Sequence, residues 1–239
     1  MPKPRPKAPN RPKRRQPMNP GPRQNRRRRH PPSSLMGSRV PWVRRVGKPA
    51  TPPAGNGGAE VSDPRVTRAA ELIRNIPDFP RPGIQFKDIT PLLADSAAFD
   101  GVVAVLAEQA PEQVDVICGI ESRGFLFGVP MALRLGVGFV PIRKPGKLPG
   151  TVLEETFDLE YGSSTLAIHA DALVPGQRVL LVDDLLATGG TLLAAHRLVK
   201  RLAVQVCQVQ VVIELTELAG RRKLTEAGMT DLRALLQVN

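Results

Sequence analysis

Residues 179 to 191 read "VLLVDDLLATGGT", and no other stretch limits the fold as much. An unbroken apolar run of four residues suits a strand covered on both faces, which implies a parallel sheet with helices on either side. The run ends in two adjacent acids, Asp183 and Asp184, whose like charges repel and which no strand needs. Ala187, Thr188, Gly189, Gly190 and Thr191 follow and lead into a helical pattern. Glycines let a backbone approach a ligand closely, and a helix start offers unpaired N–H groups with a dipole that favours anions. The turn is therefore expected to cradle a single phosphate. It lacks the Lys that a Walker-type triphosphate loop carries after its second Gly. The acids would then meet hydroxyls, or a cation held indirectly beside a polyphosphate, one sugar length away, as a ribose 5-phosphate would present them.

The same strand-then-helix alternation runs through the chain from residue 65. Val66, Ala69, Ala70, Ile73 and Ile76 have helical spacing, so a helix is expected over 65–76, followed by a loop at 77–91 with four prolines. Asp95 is placed to cap a helix over 96–110. Then come a strand at 114–120, a helix at 125–136, a strand at 138–144 and a long loop. Two paired strands near 151–162 and 164–170 precede the strand 178–184, the helix 190–202 and a strand at 207–215. This pattern is α/β, with a mainly parallel central sheet flanked by helices. Ligands in such sheets lie beyond the carboxyl ends of the strands, so "GIESRG", "IRKPGKLPG" and "VDDLLATGGT" are expected to converge on one site.

Composition divides the chain into two parts. Residues 1–64 hold 16 Lys and Arg against Glu60 and Asp63, and 15 of the 25 prolines, whereas residues 65–239 hold 18 basic and 20 acidic residues. The first part is too polar and too charged to offset the entropy of ordering it, and is expected to be a disordered basic tail; the second is expected to be one domain. Runs such as Arg26 to Arg29 suit weak, non-specific nucleic-acid binding, and equally suit a poorly constrained extension encoded by GC-rich codons. No apolar run has the ~20 residues of a membrane span and no secretory pattern is present, so the cytoplasm is the expected location. Cys118 and Cys207 are expected to be buried, reduced thiols, and His169 and His196 to be structural; no metal-ligand spacing is found.

The motifs together resemble a known family. "VLLVDDLLATGGT" is similar to the phosphoribosyl pyrophosphate (PRPP) motif of type I phosphoribosyltransferases. "PDFPRPGIQFKDITPLL", "GIESRGFLFG", "IRKPGKLPG" and "LEYG" look like the adenine phosphoribosyltransferase family in particular. The resemblance runs from about Arg65 to the C-terminus. It implies purine salvage: transfer of the phosphoribosyl group of PRPP to N9 of adenine, giving AMP and pyrophosphate, with Mg²⁺ carried by PRPP. It assigns Asp183 and Asp184 to the ribose hydroxyls and Ala187 to Thr191 to the 5′-phosphate. Ser122, Arg123 and Gly124 go to the pyrophosphate, with a non-proline cis peptide between Glu121 and Ser122. Arg143 and Lys147 are assigned to a mobile lid whose cations also meet pyrophosphate. Glu160 is the implied general acid near adenine N7, with the chain's single tyrosine, Tyr161, beside it. Adenine is expected against Phe86, its edge read by backbone groups of Gln85 and Lys87, where relatives often have Arg in place of Lys87. A homodimer with lids near the subunit interface is also implied. The basic tail leaves a second reading, a PRPP-sensing regulator that binds nucleic acid.

Overall fold

The structure is a computed structural model and describes residues 63–158 and 162–239. The expectations for the tail up to residue 62, and those for Glu160 and Tyr161, lie outside the described residues. Helix α1 (Pro64–Leu72) begins where the Asp63 carboxylate accepts the N–H of Arg65, with a proline in its first turn, a position where no helical N–H is lost. It is shorter than its apolar spacing suggests. Arg74–Ile76 leaves the helix as strand β1 and pairs antiparallel with β2 (Phe86–Asp88), across a loop that contains a cis Phe79–Pro80 bond. Arg74 stands opposite Asp88 in this register and binds its carboxylate at 2.5 Å, a partner that no helical periodicity could reveal.

The short helix α2 (Thr90–Ala94) leads into α3 (Ser96–Gln109), which Asp95 caps as expected by accepting the N–H of Ala98 at 2.9 Å. Strand β3 (Val116–Ile120) and strand β4 (Gly138–Ile142) pair in parallel, joined by helix α4 (Arg123–Leu135), which stops at Gly136, whose positive φ closes the helix end. β5 (Val152–Asp158) and β6 (Ser163–His169) form a separate antiparallel hairpin. Then come β7 (Arg178–Leu186), α5 (Gly190–Lys200) and β8 (Gln205–Leu215). A short 3₁₀ turn, α6 (Gly220–Glu226) and β9 (Leu232–Val238) complete the chain; the last two were not expected.

The central sheet is wholly parallel, in the order β4-β3-β7-β8-β9. Successive residues of β7 serve opposite faces. Val179 and Leu181 pack with α5, α6 and β6, and Leu180 and Val182 pack with α1 to α4. Burial on both faces explains the unbroken apolar run in the sequence. The strand order reverses between β3 and β7, since the chain moves outward to β4 from one and to β8 from the other. A crevice opens at such a point beyond the carboxyl ends.

Cys118 is buried, and burial pushes its thiol up to about 12. Cys207 departs from expectation: it is only half-buried, at the irregularity where the β7–β8 register shifts, and its thiol donates to the Val179 carbonyl at 3.2 Å. Among the described residues no helix is long and apolar enough to cross a membrane.

Candidate active site

The crevice between β3 and β7 holds a cleft of about 240 Å³. Its walls are residues 121–123, just beyond β3, and residues 183–192, which run from the end of β7 into α5. Two of the three stretches expected to meet, some sixty residues apart in sequence, thus converge; the third, 142–150, does not line the cleft and touches it only through the contact of Arg143 with Glu121. β7 extends two residues past the acids, because Leu185 and Leu186 still pair with Ile213 and Glu214 of the long strand β8. Asp183 and Asp184 therefore sit inside the strand, short of its last two residues, and both are buried.

Burial is the main cause that raises the carboxyl of Asp183, followed by the like charge of Asp184; burial also raises Asp184, against the pull of Arg123. The Asp183 Oδ1 accepts the N–H of Asp184 at 2.9 Å. Arg123 Nε lies 3.1 Å from Asp184 Oδ2, near enough for charge attraction, but the angles are not those of a hydrogen bond, and that buried oxygen has no donor. A buried carboxylate oxygen without a donor is costly, and one at a cleft wall is suited to receive donors from a ligand.

Gly189 has φ +77° and turns the chain into α5, and the buried Gly190 starts the helix. Beneath this turn lies Gly220, which the sequence reading did not single out. A Cβ there would be 2.1 Å from the Ala187 carbonyl and 3.0 Å from the Gly189 nitrogen. Gly124 is needed for a similar reason, since a Cβ would be 2.7 Å from the Val182 carbonyl and 3.1 Å from Asp183 Oδ1. Its absence lets the start of α4 press against the acids. Ser122 is exposed, and the peptide joining it to Glu121 is cis, as the resemblance implied.

Of the other expected residues, Phe86 and Arg143 reach the cleft through intermediaries, and Gln85 and Lys87 do not reach it. Phe86 lies under Arg123, 5.5 Å from guanidinium to ring centroid, and Phe79 supports it edge-on at 5.1 Å. Lys87 pairs with Asn75 in the β1–β2 ladder and Gln85 is exposed, and neither lines the cleft. Arg143 grips Glu121, with Nε to Oε2 at 3.1 Å and Nη2 to Oε1 at 3.3 Å, and its Nη1 donates to the Lys147 carbonyl at 3.1 Å. Glu121 is thus a site residue that the sequence reading used only as one side of a cis peptide. The available signal was an acid directly before Ser-Arg at a strand end, facing a cationic loop. Gly146 and Gly150 both have positive φ in that loop. His196 is buried beside Lys200 and Arg197, and burial lowers its pKa. Among the described residues no group of three or more His, Cys, Asp or Glu could hold a metal ion.

Residues 90–228 match the family model of the phosphoribosyl transferase domain. The chain is 53% identical to an adenine phosphoribosyltransferase of Cutibacterium acnes over 169 residues, which cover 71% of this chain and 96% of that protein. The crystal structure of adenine phosphoribosyltransferase from Thermoanaerobacter pseudethanolicus superposes with a TM-score of 0.69 at 49% identity, covering 72% of this chain and 99% of that one. The enzyme from Trypanosoma brucei, in complex with AMP, pyrophosphate and ribose-5-phosphate, is 25% identical with a TM-score of 0.67, covering 74% and 81%.

Proposed function

Because the chain belongs to the adenine phosphoribosyltransferase family, we propose how its cleft carries out that family's reaction. The enzyme transfers the phosphoribosyl group of PRPP to N9 of adenine, giving AMP and pyrophosphate, a purine-salvage step. Family membership selects this enzyme over a PRPP-sensing regulator. The observation that carries the mechanism is the convergence of a buried acid pair with a helix start and an arginine in one cleft.

Breaking the bond from C1′ to the pyrophosphate oxygen leaves positive charge on the sugar and negative charge on the leaving group. Asp183 and Asp184 accept hydrogen bonds from the ribose 2′ and 3′ hydroxyls and keep negative charge near the electron-poor sugar. Backbone N–H groups of 187–191 and the hydroxyls of Thr188 and Thr191 hold the 5′-phosphate at the start of α5. Ser122 and Arg123, with Gly124 admitting them close to β7, bind pyrophosphate; Arg143 and Lys147 add charge from the lid, which closes to exclude water. Adenine stacks on Phe86, and backbone groups of Gln85 and Lys87 read its edge. Glu160 supplies a proton, or a hydrogen bond, at N7 as N9 attacks.

Mg²⁺ would fit this cleft as an ion carried by PRPP, because the donorless oxygen of Asp184 at the cleft wall suits an indirect contact. When bound it neutralises pyrophosphate charge. The same reading takes residues 65–239 as the catalytic domain, acting as a cytoplasmic homodimer. The basic segment before Asp63, the residue that caps α1, binds polyanions weakly; binding that does not weaken as salt is raised would argue against that segment's part.

Purified protein given adenine, PRPP and Mg²⁺ should form AMP, and Glu160→Gln should lower kcat by about 10²–10⁴-fold. Use of hypoxanthine, guanine or xanthine in place of adenine would contradict the base assignment, and an unchanged kcat would remove Glu160 from the chemistry.

A further inference from the structure

The two arginines proposed to meet pyrophosphate each face a carboxylate of the chain itself, and the two pairs are unequal. Arg123 approaches Asp184 through one nitrogen, outside hydrogen-bond geometry. Arg143 is committed much further: both oxygens of Glu121 accept from it, and a third N–H goes to the Lys147 carbonyl. Glu121 Oε2 also accepts the backbone N–H of Lys144 at 2.9 Å, and the Glu121 N–H donates to the Ile142 carbonyl at 2.9 Å. The Arg143 backbone is fixed in turn by paired hydrogen bonds with Ala167 of 2.8 and 2.7 Å. Glu121 thus fastens the root of the loop 143–150 to the segment that lines the cleft.

We propose that Glu121 is a positioning residue that competes with pyrophosphate for Arg143, and so limits how tightly pyrophosphate is held. The inference rests on the reading of Arg143 as a pyrophosphate-binding cation. A two-point grip by a carboxylate is the same geometry that a phosphate would take from the guanidinium, so the two anions are rivals for one fork. The Glu121 side chain is 13% exposed, and it borders the cleft where a highly charged anion is to sit. Burial would raise its pKa, but the Lys144 N–H and the Arg143 guanidinium more than offset that and keep the carboxylate charged. When Arg143 turns to pyrophosphate, Glu121 retains only the Lys144 N–H and repels the ligand. That cost is returned when pyrophosphate leaves and Glu121 takes the arginine back. The lid cation is thereby held ready without becoming a trap for the product.

The test measures pyrophosphate binding by calorimetry, and the KM for PRPP and for adenine, on the full chain in four forms: unaltered, Arg143→Ala, Glu121→Gln and Glu121→Asp. Arg143→Ala should weaken pyrophosphate binding and raise the KM for PRPP. Glu121→Gln should do the opposite, tightening pyrophosphate by about 3- to 30-fold and lowering the KM for PRPP, with the KM for adenine unmoved. Glu121→Asp keeps the charge but is one methylene too short for the two-point grip, so it should fall between the unaltered protein and Glu121→Gln. A merely structural brace would weaken pyrophosphate and PRPP when altered, so the sign of the change separates the two roles. If Arg143→Ala shows its loss while Glu121→Gln leaves pyrophosphate unchanged or weaker, the inference fails and the site reading stands. If Arg143→Ala changes nothing, the pyrophosphate role of Arg143 fails and the inference falls with it.

Discussion

Burial governs Asp183 more than any partner does. Its side chain is enclosed, Asp184 adds like charge, and the opposing guanidinium of Arg123 approaches from the side of Asp184. An acid whose folded pKa is raised binds more protons folded than unfolded. It therefore costs nothing well below its ordinary value of 3.8, and the cost grows as pH rises through that value toward the raised folded one. Asp183→Asn removes the charge and keeps the oxygen that accepts the Asp184 N–H. The variant should melt about 2–4 °C higher at pH 7, the effect of roughly 1 kcal/mol in a domain of this size, with the gain shrinking as the pH approaches 4. The same change should raise the KM for PRPP by about tenfold or more, because a hydrogen bond to a charged acceptor is lost. Melting curves at both pH values and PRPP saturation curves check this, and a variant that melts lower at pH 7 would contradict it. The acid pair could be found in the sequence because nothing structural requires two adjacent acids at a strand end. Glu121 could not be weighed, because a lone acid before Ser-Arg gains its meaning only from Arg143, 22 residues away.

At the scale of elements, what was legible is what local chemistry decides. Asp95 capped α3, β7 carried its apolar run and α5 began at Gly190, since each depends on residues within a few positions. The extent of α1 and the length of β7 were not legible, because Asp88 and the far end of β8 decide them. The turn between β7 and α5 belongs partly to each class. Its glycines announce it, but its floor is Gly220, contributed by α6 some thirty residues later. Gly220→Ala places a methyl group 2.1 Å from the Ala187 carbonyl, so the turn must shift. We expect a loss of about 1–3 kcal/mol in stability, as overpacking generally gives, together with a higher KM for PRPP. Gly138→Ala serves as the comparison, because its nearest neighbour, Val116 Cγ2, is at an ordinary 3.8 Å. Equal PRPP saturation in the two variants would show that the turn does not depend on α6.

Across the whole molecule, the sheet order places the site at one crevice, and the C-terminal segment supports it from below. α6 and β9 were missed in the sequence because β9 is a half-exposed edge strand with weak alternation and α6 spans only seven residues. Both are fastened by Glu214, near the end of β8. Its carboxylate holds Arg221 at 2.5 Å and accepts from Gln237 at 3.1 Å, while Arg221 reaches the Leu232 carbonyl at 3.0 Å. α6, β8 and β9 are thus tied at one side chain that is 4% exposed, whereas Arg221 keeps 38% of its surface in solvent. Glu214→Gln keeps the shape and removes the charge. Partial solvation of Arg221 places the expected loss at about 1–3 kcal/mol, below that of a fully buried pair. The hydrogen bond from Arg221 holds the Glu214 pKa below its ordinary 4.5, so the unfolded chain takes up this proton first as the pH falls. The pair's contribution is therefore whole above about pH 4.5 and is lost as the pH falls through the lowered folded value, the reverse of the trend for Asp183. Melting temperatures of the two proteins should differ at pH 7 and converge in acid. Because α6 begins at Gly220, loosening it should also raise the KM for PRPP although Glu214 lies outside the cleft. Hydrogen exchange that quickens in 220–238 without any change in PRPP use would show that the C-terminal segment stabilises the sheet and leaves the phosphate turn to stand by itself.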